Sequence, residues 1–209
     1  MKSAAGKRGR PRSFDTSAAL LRAMTLFWEK GYEATSLSDL TTAMGIAPPS
    51  LYAAFGNKEE LLLAAVEEYA KTYGSYLRRA LDEEPTALAA IERILLHAAR
   101  QFTERGHPRG CLVICGALGT DESAVRVRKV LEDMRRAKER WMRRRIQADV
   151  DAGVLPKETD AAALARFADA LLEGLCLKAR LGASRRDLEK AVEVGLAALR
   201  KAADPAAEG

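Results

Sequence analysis

Apolar positions along this chain recur at intervals of three and four, the spacing of one face of a helix, and they do so from near residue 14 to near residue 203. Leu20, Met24 and Phe27 line a first helix expected over residues 14–30, with Gly31 as its stop. Leu37, Leu40 and Met44 make a short second stripe. Ser36 with Asp39 three residues on is its start signal, and Gly45 its end, because glycine turns left-handed at least cost. Pro48 and Pro49 then open a third helix, where the missing N–H groups would be unpaired anyway. Leu51 and Phe55, four apart, give it a buried side. Asn57 with Glu60 caps a fourth helix, expected to run unbroken over residues 57–81 with Leu61, Leu62, Ala65, Val66 and Tyr69 on one face. The acidic run Asp82–Glu84 and Pro85 end it.

The same period continues downstream. Leu88, Ile91, Leu95, Ala99 and Phe102 mark a helix over residues 86–105, and an apolar segment follows at 109–118. A long helix is expected over 121–152, stopped by Gly153. The last two, over 160–181 and 184–203, carry the stripes Leu164, Phe167, Leu171, Leu175 and Leu188, Val192, Leu196, Leu199, with small Ala191 and Gly195 permitting close approach. Residues 204–209 are expected to be a disordered tail. The fold class is all-α. Residues 13–58 read as a three-helix helix-turn-helix domain, whose second motif helix enters the DNA major groove, and residues 59–203 as a larger helical domain.

Charge sharpens this picture. Of a net charge of +5, residues 1–58 hold +4, with eight Lys or Arg against four Asp or Glu. An excess at that end suits phosphate binding. Five of those cations, including Arg8, Arg10 and Arg12, lie in a basic arm over residues 1–12 that has no acid. Arg8–Gly9–Arg10–Pro11 resembles the core of an AT-hook, which slides arginines into a narrow minor groove. The basic run Arg135–Arg145 reads differently: Glu132–Arg136 and Glu139–Arg143 at i, i+4 predict a solvated, ion-paired face. No apolar run approaches the ~18 residues of a membrane span, and the N-terminus lacks the apolar core of a secretory signal. Three cysteines, an odd number, argue for reduced thiols and a cytoplasmic protein.

Phe27, Gly31–Tyr32, Ala34–Thr35–Ser36, Leu40, Gly45–Ile46, Leu51–Tyr52, Phe55 and Lys58–Leu61 together resemble the N-terminal domain of the TetR family of transcriptional regulators. The resemblance covers roughly residues 14–62; beyond it only architecture and a Gly110–Cys111–Leu112 turn are similar. It implies a DNA-binding regulator, a repressor released from a pseudo-palindromic double-stranded operator by a small-molecule or thiol-reactive effector. It implies that Thr35, Tyr52 and Lys58 contact phosphate. On the same expected surface, beside Ser36, Ser50 offers a hydroxyl and Ala47, Pro48, Pro49 and Ala53 offer apolar contact to a thymine methyl. The resemblance also implies that the last two helices, through the two leucine-rich stripes above, pair with a second copy as a four-helix homodimer interface. The family commonly has Ser where Ala47 stands, a polar or basic residue then Gly at Pro48–Pro49, and His at Ala54. These departures leave few groups to bond base edges and shift expected specificity toward the arm and DNA shape.

In the second domain, Tyr73, Phe102, Met134 and Trp141 are candidates to line a pocket between helices, with His97 a further effector contact or a core histidine. Cys111 and Cys115, near Arg105 and Arg109, are candidate thiol sensors, or else small buried hydrophobes. His107, Cys111 and Cys115 lack a fourth ligand, so neither metal nor cofactor is expected. Two alternatives stand beside the regulator: an architectural DNA binder with a filled second domain, and a helical cysteine enzyme, for which no cysteine–histidine motif is present.

Overall fold

The computed structural model describes residues 14–118 and 124–203. Arg8, Arg10, Arg12, the start of the helix expected at 121 and the tail 204–209 lie outside the described residues. Among the described residues there are ten helices: α1 (Thr16–Lys30), α2 (Leu37–Met44), α3 (Pro48–Phe55), α4 (Lys58–Thr72), α5 (Ser75–Glu83), α6 (Ala87–Gln101), α7 (Leu112–Leu118), α8 (Val125–Asp151), α9 (Ala161–Arg180) and α10 (Arg185–Ala203).

Two of the predicted caps form in full. The Ser36 hydroxyl accepts from Asp39 N–H while the Asp39 carboxylate accepts from Ser36 N–H, both at 3.0 Å. Asn57 and Glu60 do the same at the start of α4. Each box satisfies amide donors that a helix start leaves without partners.

The helix expected over 57–81 is broken. The N–H groups of Tyr73 and Gly74 both donate to the Tyr69 carbonyl, and α5 starts afresh after Gly74. A Cβ at Gly74 would sit 3.1 Å from the Ala70 backbone, so glycine lets the chain fold against its own last turn. The break re-aims α5 onto α6.

The buried side chains fall into two cores. One holds Met24, Phe27 and Trp28 of α1, Leu40 of α2 and Leu51 of α3, and continues through Leu61, Leu62 and Tyr69 of α4, Leu112 of α7 and Val127 and Leu131 of α8. The reader's core therefore does not stop at residue 58, where the sequence suggested a boundary. The second core packs α5, α6, the C-terminal half of α8, α9 and α10. Cys111 touches both.

That second core takes in most of the stripe expected at a dimer interface. Leu164, Leu175, Leu188, Val192, Leu196 and Leu199 are all buried within the chain itself. Leu171 is half-buried, and a Cβ on Gly195 would meet its Cδ2 at 2.3 Å, so the small residue serves contact between α9 and α10 of one chain. Of the eight positions, only Phe167 is exposed.

Candidate nucleic-acid interface and cavity

The reader is α2, a turn at Gly45 (φ +69°) and α3. Pro48 and Pro49 occupy the first turn of α3, and Ala47 precedes them with no side-chain cap. Leu51 is the buried anchor of α3, while Phe55 is half-buried against Phe14, their centroids 6.4 Å apart. The opposite face presents Ala47, Pro48, Pro49, Tyr52, Ala53 and Ala54 to solvent, with Ser50 half-buried. Tyr52 stands out from it at 52% exposure, its phenol available to a phosphate. Ser36 is exposed at the start of α2.

Thr35 behaves otherwise than the resemblance implied. It is wholly buried, and its hydroxyl donates to the Gly31 carbonyl at 2.6 Å. It pins the turn between α1 and α2, and its side chain is not offered to DNA. Lys58 sits at the start of α4 with Nζ 4.2 Å over the Tyr32 ring. Burial lowers its pKa, partly offset by Glu33, and burial raises that of Tyr32, with Glu59 and Glu33 adding to it. The ring fixes the direction of the ammonium at a helix N-terminus. The reader body over residues 14–58 holds three basic and four acidic residues, a net of −1. The positive charge of this end therefore resides in the arm.

Beyond the reader, a cavity of about 540 Å³ opens between α4, α5, α7 and α8. Its wall includes Tyr69, Tyr76, Phe102, Val113, Ile114, Met134, Trp141 and Leu172, with Cys111 among them. Of the sequence candidates, Phe102, Cys111, Met134 and Trp141 line it. Tyr73 instead packs in an aromatic group with Trp28, Tyr69 and His107. His97 lies on an exposed edge, bonded to Gln101 at 3.1 Å and stacked on Tyr76. Cys115 is behind the wall, 3.7 Å from Cys176 sulfur to sulfur. Burial pushes the Cys111 thiol up, with the Tyr69 hydroxyl working against it.

Sequence reasoning missed Lys138. It lies in the basic run of α8, yet it is buried at the cavity, 2.7 Å from Asp169 and 3.5 Å from Glu173, which also forks with Arg135. The signal was present: Lys138 falls seven residues after Leu131 and four before Met142, on the buried stripe. Burial raises the pKa of Asp169 despite Lys138; for Glu173, burial is outweighed by Arg135 and Lys138, and its pKa falls. Elsewhere on that run Glu132–Arg136 pairs as expected at 3.7 Å, whereas Glu139 pairs with Arg166 rather than Arg143.

Comparison with known proteins matches both parts of this arrangement. The model for bacterial regulatory proteins of the tetR family matches residues 19–65, and that for the tetracyclin repressor-like C-terminal domain matches residues 87–194. The chain is 35% identical to the transcriptional repressor ComR of Escherichia coli (strain K12) over 196 residues, 92% of this chain and 91% of that one. The chain belongs to the TetR family of transcriptional regulators. It is also 33% identical to the transcriptional regulator AcuR of Cereibacter sphaeroides, over 84% of this chain and 83% of AcuR. Among solved structures, a cysteine mutant of the TetR family regulator CifR in complex with 26-base-pair operator DNA superposes with a TM-score of 0.87 and 41% identity, over 91% of this chain and 99% of that one. These relatives are regulators rather than enzymes, which sets the cysteine-enzyme alternative aside. Among the described residues no helix is long and apolar enough to cross a membrane.

Proposed function

We propose that this TetR-family chain is a cytoplasmic homodimeric repressor. In this reading it grips a pseudo-palindromic operator through its basic arm, Tyr52, Lys58 and the Ala47–Ser50 surface of α3, and lets go when an effector enters the cavity between α4, α5, α7 and α8. The observation that carries the effector is that cavity: about 540 Å³, walled mainly by apolar side chains, with the Cys111 thiol at the seam of the two cores. A space of this size suits a drug-sized molecule and counts against an architectural binder with a filled second domain. Of the charged groups in the lining, Lys138 and Arg135 are paired with Asp169 and Glu173 and Arg78 with Asp82, while the exposed Asp133 carboxylate adds negative charge, so an uncharged or thiol-reactive effector is favoured over an anionic one.

The dimer is assigned to a different stripe from the one read off the sequence. Phe167, Ala170, Gly174, Leu177 and Leu181 of α9 and its end, with Ala191, Val194 and Ala198 of α10, are exposed at alternating intervals of three and four. Such a seam suits a four-helix contact between two copies. The two readers would then meet half-sites about 34–36 Å apart.

The test uses N-ethylmaleimide as the thiol-reactive probe. The full chain is titrated on a duplex that it selects from a random pool, before and after alkylation, with peptide mapping of the adduct. Alkylation of Cys111 is expected to release the duplex from wild type, and Cys111→Ser to retain it under the same treatment. An alkylated Cys111 with undiminished DNA affinity would refute a thiol-reactive effector at this cavity.

A further inference from the structure

Cys176 has no part in the proposed cavity chemistry, yet its surroundings are arranged around its sulfur. It is wholly buried on α9, and the Cys111 N–H donates to its Sγ at 3.1 Å. Cys115, half-buried on α7, places its own Sγ 3.7 Å away. Gly110 makes the approach possible. It stands at φ +84°, and a Cβ there would lie 3.2 Å from the Cys176 sulfur and 3.4 Å from the Cys115 sulfur. Any other residue would strain the turn and crowd both thiols.

These two thiols sit where the halves of the molecule are joined. On α9, four residues after Cys176, Arg180 donates to the carbonyls of Trp28 and Glu29 at the end of α1, and to that of Arg109. Arg109 donates in turn to the carbonyl of Ala179 at 2.8 Å and to that of Ala183. His107 stacks on Trp28 at 4.8 Å. The turn before α7, the end of α9 and the end of α1 are thus one hydrogen-bonded joint, and α7 packs against both cores.

We propose that Cys115 and Cys176 are an oxidisable pair whose disulfide draws α7 toward α9 at this joint and thereby changes how the reader is held. The proposal rests on the reading of the chain as an operator-binding regulator. A disulfide has an S–S length of about 2.05 Å, so the sulfurs must close by roughly 1.7 Å. The oxidant is a hydroperoxide. The Cys115 thiolate attacks its terminal oxygen; the O–O bond breaks, an alcohol or water leaves, and Cys115 becomes a sulfenic acid. The Cys176 sulfur then attacks the Cys115 sulfur, and the hydroxyl departs with the Cys176 proton as water. Two thiols are oxidised by two electrons and one peroxide is reduced. Cys115 is the attacking partner on two grounds. It is the more exposed of the two residues, and the thiol of Cys176, the Cys111 peptide and the charge of Arg180 hold its pKa below the ordinary thiol value. Two discrete positions of α7, reduced and oxidised, would bias the reader as any two-state element does.

Purified full-length protein, reduced and then treated with hydrogen peroxide, is digested without reductant and mapped by mass spectrometry. The expected product is a peptide joining Cys115 to Cys176, lost on adding dithiothreitol. In parallel, affinity for the pool-selected duplex is expected to fall by roughly tenfold, an ordinary coupling between sites. Dithiothreitol is expected to restore it. Cys115→Ser and Cys176→Ala are expected to bind DNA when reduced and to keep that affinity in peroxide. Sulfinic acid at Cys115 with no linked peptide, or a linked peptide with unchanged DNA affinity, would overturn the proposal. So would a peroxide response abolished by Cys111→Ser alone. Reduced protein that selects no duplex would instead defeat the regulator reading, and the linked peptide would still report on the pair.

Discussion

Thr35 shows how a side chain in a binding motif can serve the scaffold. Its hydroxyl completes the Gly31 carbonyl in a place closed to water. Thr35→Val keeps the shape and removes the donor. It is expected to cost about 1–3 kcal/mol in urea unfolding, the penalty for a buried acceptor left without its partner, with the salt dependence of DNA binding unchanged. Asp39 is a second such residue. The Ser36 amide, the Ser36 hydroxyl and Lys30 hold its carboxyl below the ordinary value of 3.8. A depressed carboxyl favours the fold fully above that ordinary value and stops doing so as pH falls through its own lower one. An NMR titration of the Ser36 and Asp39 amides is expected to show a midpoint below 3.8, and a midpoint at or above it would remove the capping box from the account. The box itself was legible from residue types three apart. The burial of Thr35 was not, because it depends on how α1 and α2 close over the turn.

At the scale of elements, α3 depends on one side chain. It is eight residues long, too short to persist alone, has no N-cap bond, and buries only Leu51 fully. Leu51→Ala is expected to cost about 2–5 kcal/mol and to loosen α3 first, seen as faster amide exchange over residues 48–55 than over α1. Element boundaries were legible where a glycine or a capping residue marks them, as at Gly31, Gly45 and Asn57. The break after Thr72 was not read, although Gly74 marks it. The apolar stripe runs on from Tyr69 to Leu77, and periodicity alone cannot report a change of direction. The period of α9 and α10 likewise showed that each has a wide apolar surface. It did not show which part faces α6 and which faces outward, since that is decided by neighbours far along the chain.

For the molecule as a whole, the two apolar surfaces of α10 have different consequences. Leu188→Glu puts a charge into the chain's own core and is expected to unfold it, because an unpaired buried carboxylate is costly. Val194, 72% exposed, is expected to tolerate glutamate as a folded chain. Val194→Glu should then sediment as a monomer and bind DNA at least about tenfold more weakly, since one half-site replaces two. A folded Val194→Glu dimer would place the interface elsewhere. The cavity was half legible: Phe102, Cys111, Met134 and Trp141 were found from type and spacing. Lys138 was hidden by the charge run that contains it.

Charge supplies the most direct test. The reader body carries a net −1 and the arm before it five cations, so the grip on the polyanion is assigned largely to the arm, with Lys58 and Tyr52 orienting α3. The measurement is the affinity of the protein for its selected duplex across a series of salt concentrations, for the full chain, a chain beginning at Ser13, and Lys58→Ala. Counted over the two copies of the proposed dimer, removing the arm is expected to make the log–log slope shallower by about 6–9 and Lys58→Ala by about 2, following the counterions each phosphate contact releases. Slopes unchanged by either alteration would contradict the account.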